Sequence, residues 1–543
     1  MPRSIGQREV MRRASNRPDT AGSGAGAPGE MKSSVREQDA TSATTPSNGD
    51  APGVTPQRVA AALTQLDDLA HQTLERTKIP GMAIAVVYAD ETPYLKGFGT
   101  REEGRDAPVS AGTVFQLASV SKPIASTIVA GVVGDGIVTW DSRITDITPQ
   151  FHMLTPWVTS QVTLRDMFCH RSGLPEHGGD LLEDLGFDRE DVLFRLRFMN
   201  PESSFRSTYD YTNFGMTAAA VAAATAAETV WEDLAARRLY QPLGMEQTSS
   251  RYADFMSEPD HAVGHMLVDG VWTHKEQRQP DAQSPAGGVS STVRDLSRWM
   301  RLQLGNGTFE GKEIITAAAL AATHAPQIVS QPPANPATDR ASFYGLGWNV
   351  SYRDDGSVSL GHSGGFNLGA GTAVYLLPGS GLGITVLTNA SPIGAAETVA
   401  LKFLDLAQFG TIRRDYASLL TGAFNVINAP PYGTSIDYAT LPTTATEALP
   451  AVAYTGSFSN DLYGALTITA EAKELVLRIG PEMRAYPLTH YDRDVFTMQP
   501  AGENAYGPSG VTFQVGPDGK ADRVTIEYLD KQHQGTFVRD DAA

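Results

Sequence analysis

A chain of 543 residues is too long to be organised around one hydrophobic core, so two or more domains are expected. With 41% hydrophobic and 19% charged residues it has the make-up of a globular protein, and a net charge of −18 argues against nucleic acid or an anionic membrane as its main partner. The one cysteine, Cys169, rules out an internal disulfide and a cysteine-built zinc site, and no apolar run approaches the ~20 residues needed to cross a bilayer.

Residues 1–54 are dominated by Gly, Pro, Ser, Thr and Ala and read as a disordered tail. Their arginines are not followed by an apolar stretch, so no secretory signal is read there and a cytoplasmic location is expected. Order is predicted to begin at Thr55-Pro56, an N-cap followed by a helix-opening proline, with Val59, Leu63, Leu66, Leu69, Ala70 and Leu74 recurring at helical spacing. MAIAVVYAD and YLKGFGT then form a hairpin through a DET turn. From Val120 to about Trp299 the pattern is mainly helical, and NFGMTAAAVAAATAAE (213–228) is its clearest helix.

After Tyr344 the texture changes to short β-rich segments separated by Gly, Pro and Asp, followed by a helix in GAAETVALKFLDLAQFG. Strands early and late with helices between imply an α+β domain over 55–426: an antiparallel sheet built from both ends of the segment, flanked by helices and carrying a helical lobe. Residues 427–450, rich in Pro and Thr, read as a linker. Residues 451–543 hold short alternating strands, with GPDGK as a hairpin turn, and predict an all-β barrel or sandwich.

Two serines compete for the role of nucleophile. Ser363 lies in Gly361-His362-Ser363-Gly364-Gly365, which fits the G-x-S-x-G elbow. An elbow needs a helix after the serine, however, and GFNLGAGTAVYLL is built of glycines and β-formers. The only later histidines, His490 and His533, fall in the β module. Ser119 opens Ser119-Val120-Ser121-Lys122, the only S-x-x-K in the chain, at the start of an expected helix. Spacing of three puts serine and lysine on one helical face, where a lysine of lowered pKa can take the hydroxyl proton. Tyr211-x-Asn213 is the only Y-x-N: a phenol that can move a proton and an amide that can both donate and accept. His362-x-Gly364 follows in a β context.

In this order the three motifs resemble those of the serine β-lactamase and penicillin-binding-protein superfamily, and most of all its class C β-lactamase-related esterases and peptidases. CHRSGLP (169–175), SPAGGVSSTVRDLSRWM (284–300) and YGLGW (344–348) are similar to recurring segments of that family, and the trailing β module resembles a lipocalin-like domain. The resemblance implies Ser119 as acylated nucleophile and Lys122 and Tyr211 as proton-transfer groups. It implies Asn213, His362, Ser363 and Gly364 in substrate binding, and the backbone N–H groups of Ser119 and Gly365 as oxyanion hole. Where the family usually has lysine in the third motif this chain has His362, largely neutral near pH 7, which shifts the expectation from β-lactams toward esters, amides or short peptides. An acyltransferase and a non-catalytic ligand-binding protein are the rival readings.

No metal or other cofactor is expected: His261-x-x-x-His265 sits in a glycine-containing turn and no H-E-x-x-H occurs. The partner is a small acyl substrate, with self-association into a homo-oligomer left open. Cys169, set among apolar residues, is expected to be buried, and LLEDLGFDRED is expected to form a solvated acidic face.

Overall fold

The computed structural model describes residues 53–353, 356–471 and 474–540; the expected tail lies outside them apart from Gly53 and Val54. Helix α1 (Pro56–Thr77) starts at the predicted cap, where the Thr55 hydroxyl accepts from the Arg58 N–H at 3.2 Å. Strands β1 (Gly81–Tyr88) and β2 (Glu91–Gly99) form the expected hairpin. Its turn is Ala89-Asp90 rather than the DET tripeptide, with both residues at positive φ, a backbone whose twist matches a two-residue hairpin.

The chain then leaves the sheet for the helical lobe. Among its helices are α2 (Ser121–Gly134), α3 (Asn213–Ala226) and α4 (Val293–Leu304). It returns as β3 (Ile328–Gln331), β4 (Ser342–Tyr344), β5 (Asn349–Tyr352), β6 (Val358–Phe366), β7 (Ala370–Leu377) and β8 (Leu382–Thr388). The eight strands lie in the order β2-β1-β8-β7-β6-β5-β4-β3, every neighbouring pair antiparallel. Helices α5 (Ala395–Phe409) and α6 (Tyr416–Ile427) follow.

Strand β1 is apolar throughout because both its faces are covered. Met82, Ile84 and Val86 pack with α1 and α5 on the outer face, whereas Ala83, Ala85 and Val87 join the core shared with the lobe. Further along the sheet, Ala373, Tyr375 and Leu377 face outward and Val374 and Leu376 inward. This parity decides what each residue of β6 can touch.

The C-terminal strands β9 (Gly456–Asn460), β10 (Gly464–Glu471), β11 (Glu474–Ile479), β12 (Arg484–Asp492), β13 (Val495–Met498), β14 (Ser509–Val515), β15 (Ala521–Ile526) and β16 (Thr536–Arg539) form a closed barrel. Each pairs with the next, and Phe458 opposite Arg539 closes the ring. Alternate residues, among them Phe458, Leu466, Ile468, Leu477, Phe513 and Phe537, fill its buried interior.

The barrel is anchored to the lobe through a carboxylate. Asp184 accepts from the Glu503 and Asn504 N–H groups at 3.0 and 2.9 Å and from the Tyr528 hydroxyl at 2.8 Å. This corrects the reading of LLEDLGFDRED as a solvated face at two of its acids: Glu183 and Asp184 are only 8% and 6% exposed, covered by the barrel and by the buried Arg278, whereas Asp188, Glu190 and Asp191 are exposed. Charge pattern alone carries no sign that a second module will sit on these residues. Cys169 is fully buried, and burial pushes its thiol up to about 12.

Candidate active site

The approach to Ser119 is a single turn of 3-10 helix, Ala118–Val120, feeding directly into α2. Ala118 adopts φ +47°, a left-handed backbone disfavoured for a residue with a Cβ and held here by complete burial. The turn is seated on the inner face of the sheet, where the Thr372 hydroxyl donates to the Leu117 carbonyl at 2.7 Å. Gly364, opposite Thr372, admits this approach: a Cβ there would stand 2.3 Å from the Leu117 oxygen and 2.9 Å from the Ser119 nitrogen. Strand β5 pairs with β6 no further than Gly361, so on that side His362–Phe366 has no strand partner among the described residues.

Lys122 is fully buried one turn after the half-buried Ser119. Its Nζ donates to Ser119 Oγ at 3.2 Å, to Asn213 Oδ1 at 2.7 Å and to the Ala286 carbonyl at 3.0 Å, and lies 4.5 Å from the centre of the Tyr211 ring. The Tyr211 hydroxyl donates to the same Ser119 Oγ at 2.8 Å. Burial brings the Lys122 ammonium down to about 7, the negative charge of Asp180 working in the opposite direction. Of its three acceptors, Asn213 Oδ1 and the Ala286 carbonyl cannot donate, whereas the serine hydroxyl can. When Lys122 loses a proton, only the contact to Ser119 can reverse, and the lone pair is left facing that hydroxyl.

Behind this group runs a second row. Asn213, at the first turn of α3, donates through Nδ2 to Asp180 Oδ2 at 2.9 Å, and His177 Nδ1 meets the same oxygen at 2.8 Å. His170 packs its ring 4.6 Å from that of Tyr211 and accepts the Thr212 N–H at 3.1 Å; burial holds it well below the usual histidine range. From the sheet side, Gly347, at φ +83°, lets the Tyr344–Trp348 segment lie against the Lys122 carbonyl, which a Cβ would meet at 2.8 Å.

A family model described as beta-lactamase matches residues 66–408, more than half of the chain. The chain belongs to the beta-lactamase family. A second model, a domain of unknown function (DUF3471), matches residues 441–538, which include the barrel strands. Among relatives of the family, an unguisins hydrolase of Aspergillus campestris is 24% identical over 492 residues, 84% of this chain and 88% of its own. Penicillin-binding protein 4 of Amycolatopsis lactamdurans is 27% identical over 57% of this chain and 81% of its own. The octameric penicillin-binding protein homologue from Pyrococcus abyssi superimposes with a TM-score of 0.56 at 17% identity, covering 88% of this chain and all of that one, and so shares the fold.

Two expected substrate contacts need correction in this family member. Ser363, paired with Ala373, points to the outer face, where its hydroxyl neighbours Tyr375 and Glu397 and offsets part of the pKa rise that burial causes in both. His362 does face inward but is fully buried. Its Nε2 lies 2.9 Å from the Tyr344 hydroxyl and its Nδ1 2.7 Å from the Ser363 carbonyl, so neither nitrogen is free for a substrate. Burial, with Lys122 nearby, lowers it to about 3, so it is a neutral strut in the cleft wall.

Asp180 and His177 are neighbours of the site that lie outside the three motifs, and Ala286 and Tyr344 belong to the segments 284–300 and 344–348, quoted above only for their resemblance. His177 and Asp180 lie in H-G-G-D, a short pattern whose spacing marks no particular chemistry. Ala286 contributes a backbone carbonyl, for which side-chain identity gives no signal.

Proposed function

We propose that this protein is a serine hydrolase that cleaves an ester, amide or short peptide bond through an acyl-enzyme on Ser119. The observation that carries the reading is the hydrogen-bond inventory of Lys122, which turns its lone pair on Ser119 once the ammonium is deprotonated, a state that burial makes accessible near pH 7.

In the first half-reaction the neutral Lys122 amine takes the Ser119 proton as Oγ bonds to the substrate carbonyl carbon. The displaced π pair goes to the carbonyl oxygen, which the N–H groups of Ser119 and Gly365 receive. As the tetrahedral adduct collapses, the leaving group departs with the Tyr211 phenolic proton, and the proton held by Lys122 restores the phenol. Water then attacks the acyl-Ser119 ester in the same sequence, releasing the acid and returning the proton to Oγ. Asn213 orients Lys122 throughout.

The neutral His362 offers no fixed positive charge to a substrate carboxylate, which favours uncharged esters and amides over β-lactams. The share of length in common with the Aspergillus protein named for unguisin hydrolysis supports hydrolysis rather than binding alone. The test is labelling with a fluorophosphonate, followed by a panel of p-nitrophenyl esters, D- and L-peptides and a β-lactam. Saturable labelling of Ser119 with ester or peptide turnover is expected; wild-type protein that takes up no label overturns the reading.

A further inference from the structure

Asp180 is a buried carboxylate whose hydrogen bonds go to Asn213 and His177 rather than to Ser119 or Lys122. It is 6% exposed, its Oδ1 has no hydrogen-bond partner among the described residues, and its Oδ2 serves both Asn213 Nδ2 and His177 Nδ1. A carboxylate only accepts, so Asn213 must present its NH2 group to Asp180 and its carbonyl to Lys122. The reverse amide orientation would set Nδ2 against the lysine donors and Oδ1 against a carboxylate.

We propose that Asp180 is the positioning residue of this site: it locks the Asn213 amide with its oxygen on Lys122 and holds a negative charge one residue behind the catalytic base. The reading rests on the Ser119 hydrolase mechanism above. His177, whose side chain is 31% exposed, spends an N–H on the carboxylate and so withdraws part of that charge from the Asn213 side.

The ionisable surroundings make Asp180 the group to test. His170, in the turn after the helix Leu164–Phe168, and His362, on β6, feel the charge of Lys122, and burial keeps both neutral in the working range. Ser119 accepts a hydrogen bond from the lysine, and Tyr211 turns its ring toward the ammonium while its hydroxyl donates to Ser119. Glu183, which feels Asp180, is engaged by Arg278 and Gln283, and Arg278 also neighbours Glu503; Asp184 is occupied by the barrel. Asp180 is thus the carboxylate whose charge acts on Lys122.

The experiment measures the second-order rate of fluorophosphonate labelling of Ser119 against pH in the full-length protein, with thermal midpoints recorded alongside. Wild type should show an acid limb centred at about 7. Asp180→Asn should move that centre down by about one unit, since loss of an opposite charge at this range shifts an ammonium by that order. His177→Phe keeps the carboxylate but removes its N–H partner, so the centre should rise, by about half a unit. A centre unmoved in Asp180→Asn overturns the proposal, whatever happens to the absolute rate. If that variant does not fold, His177→Phe decides, and a centre there that is unmoved or lowered overturns it. Wild type that takes up no label at any pH fails the hydrolase reading itself, a result distinct from a labelled wild type with an immobile limb.

Discussion

Gly364→Ala adds one methyl group at the place where the sheet meets the nucleophile turn. The new Cβ would stand 2.3 Å from the Leu117 carbonyl oxygen, 2.3 Å from Thr372 Oγ1 and 2.9 Å from the Ser119 nitrogen. Since Cβ contacts below 3.0 Å essentially do not occur, β6 and the Ser119 turn must part by at least about 0.7 Å. Thr372 can turn away, but the other two neighbours are backbone, and the displacement falls on the residue that carries the nucleophile. A misplacement of about 1 Å costs on the order of 100-fold in rate, so a loss of roughly 10- to 100-fold in kcat/KM is expected. Overpacking adds about 1–3 kcal/mol of destabilisation. The assay is p-nitrophenyl ester hydrolysis together with the rate of Ser119 labelling and a thermal melt. A variant that labels at the wild-type rate with an unchanged Tm would refute the close approach of β6 to Ser119. Adding Thr372→Ala should not rescue it, because the Leu117 and Ser119 contacts remain.

Ser119→Ala should abolish fluorophosphonate labelling, whereas Ser363→Ala, altering a side chain on the opposite face of the sheet, should retain it; mass spectrometry of the labelled peptide separates the two. Ester hydrolysis should fall about tenfold per unit below pH 7, because Lys122, lowered to about 7, is then protonated and carries no lone pair for Ser119. His362, at about 3, should add no limb of its own above pH 5, which a pH–kcat/KM profile checks. Burial raises Glu503 to about 8 and Glu183 to about 7, so the folded state binds protons that the unfolded chain releases near pH 4.5. The stabilisation is complete below that value and is lost as pH rises through 7 and 8. Glu503→Gln should therefore flatten the decline of Tm between about pH 5 and 8.

Ser119, Lys122 and Tyr211 were legible as candidates because they sit in patterns that each occur once, one S-x-x-K and one Y-x-N, and the structure brings the three side chains together. The alternation of β6 was legible too, but alternation fixes only that His362 and Ser363 face opposite sides. Which of them faces the cleft depends on pairing with β7 and on the helices behind it, and these are tertiary facts. The sequence likewise reveals Asp180 and Glu183 as acids near a glycine pair. Their burial follows from Asn213 and Arg278, which join them from 33 and 95 residues away. The barrel was readable from turns and alternation; its docking on Asp184 was not, since a surface carboxylate and one awaiting a partner module look alike in one dimension.

The strand order of the main sheet has a consequence for how the polypeptide is made. Strand β1 hydrogen-bonds to β8, Met82 opposite Thr388, so the β1–β2 hairpin waits during synthesis for some three hundred further residues before its second edge is covered. During that interval an apolar strand with both faces bare is held only by β2, and sheets completed by such distant pairings fold slowly. The barrel closes largely between successive strands and suffers no such delay. Synthesis therefore exposes the hydrolase sheet, rather than the appended module, to misassociation, and a nascent chain halted before residue 382 would carry β1 as an open apolar edge.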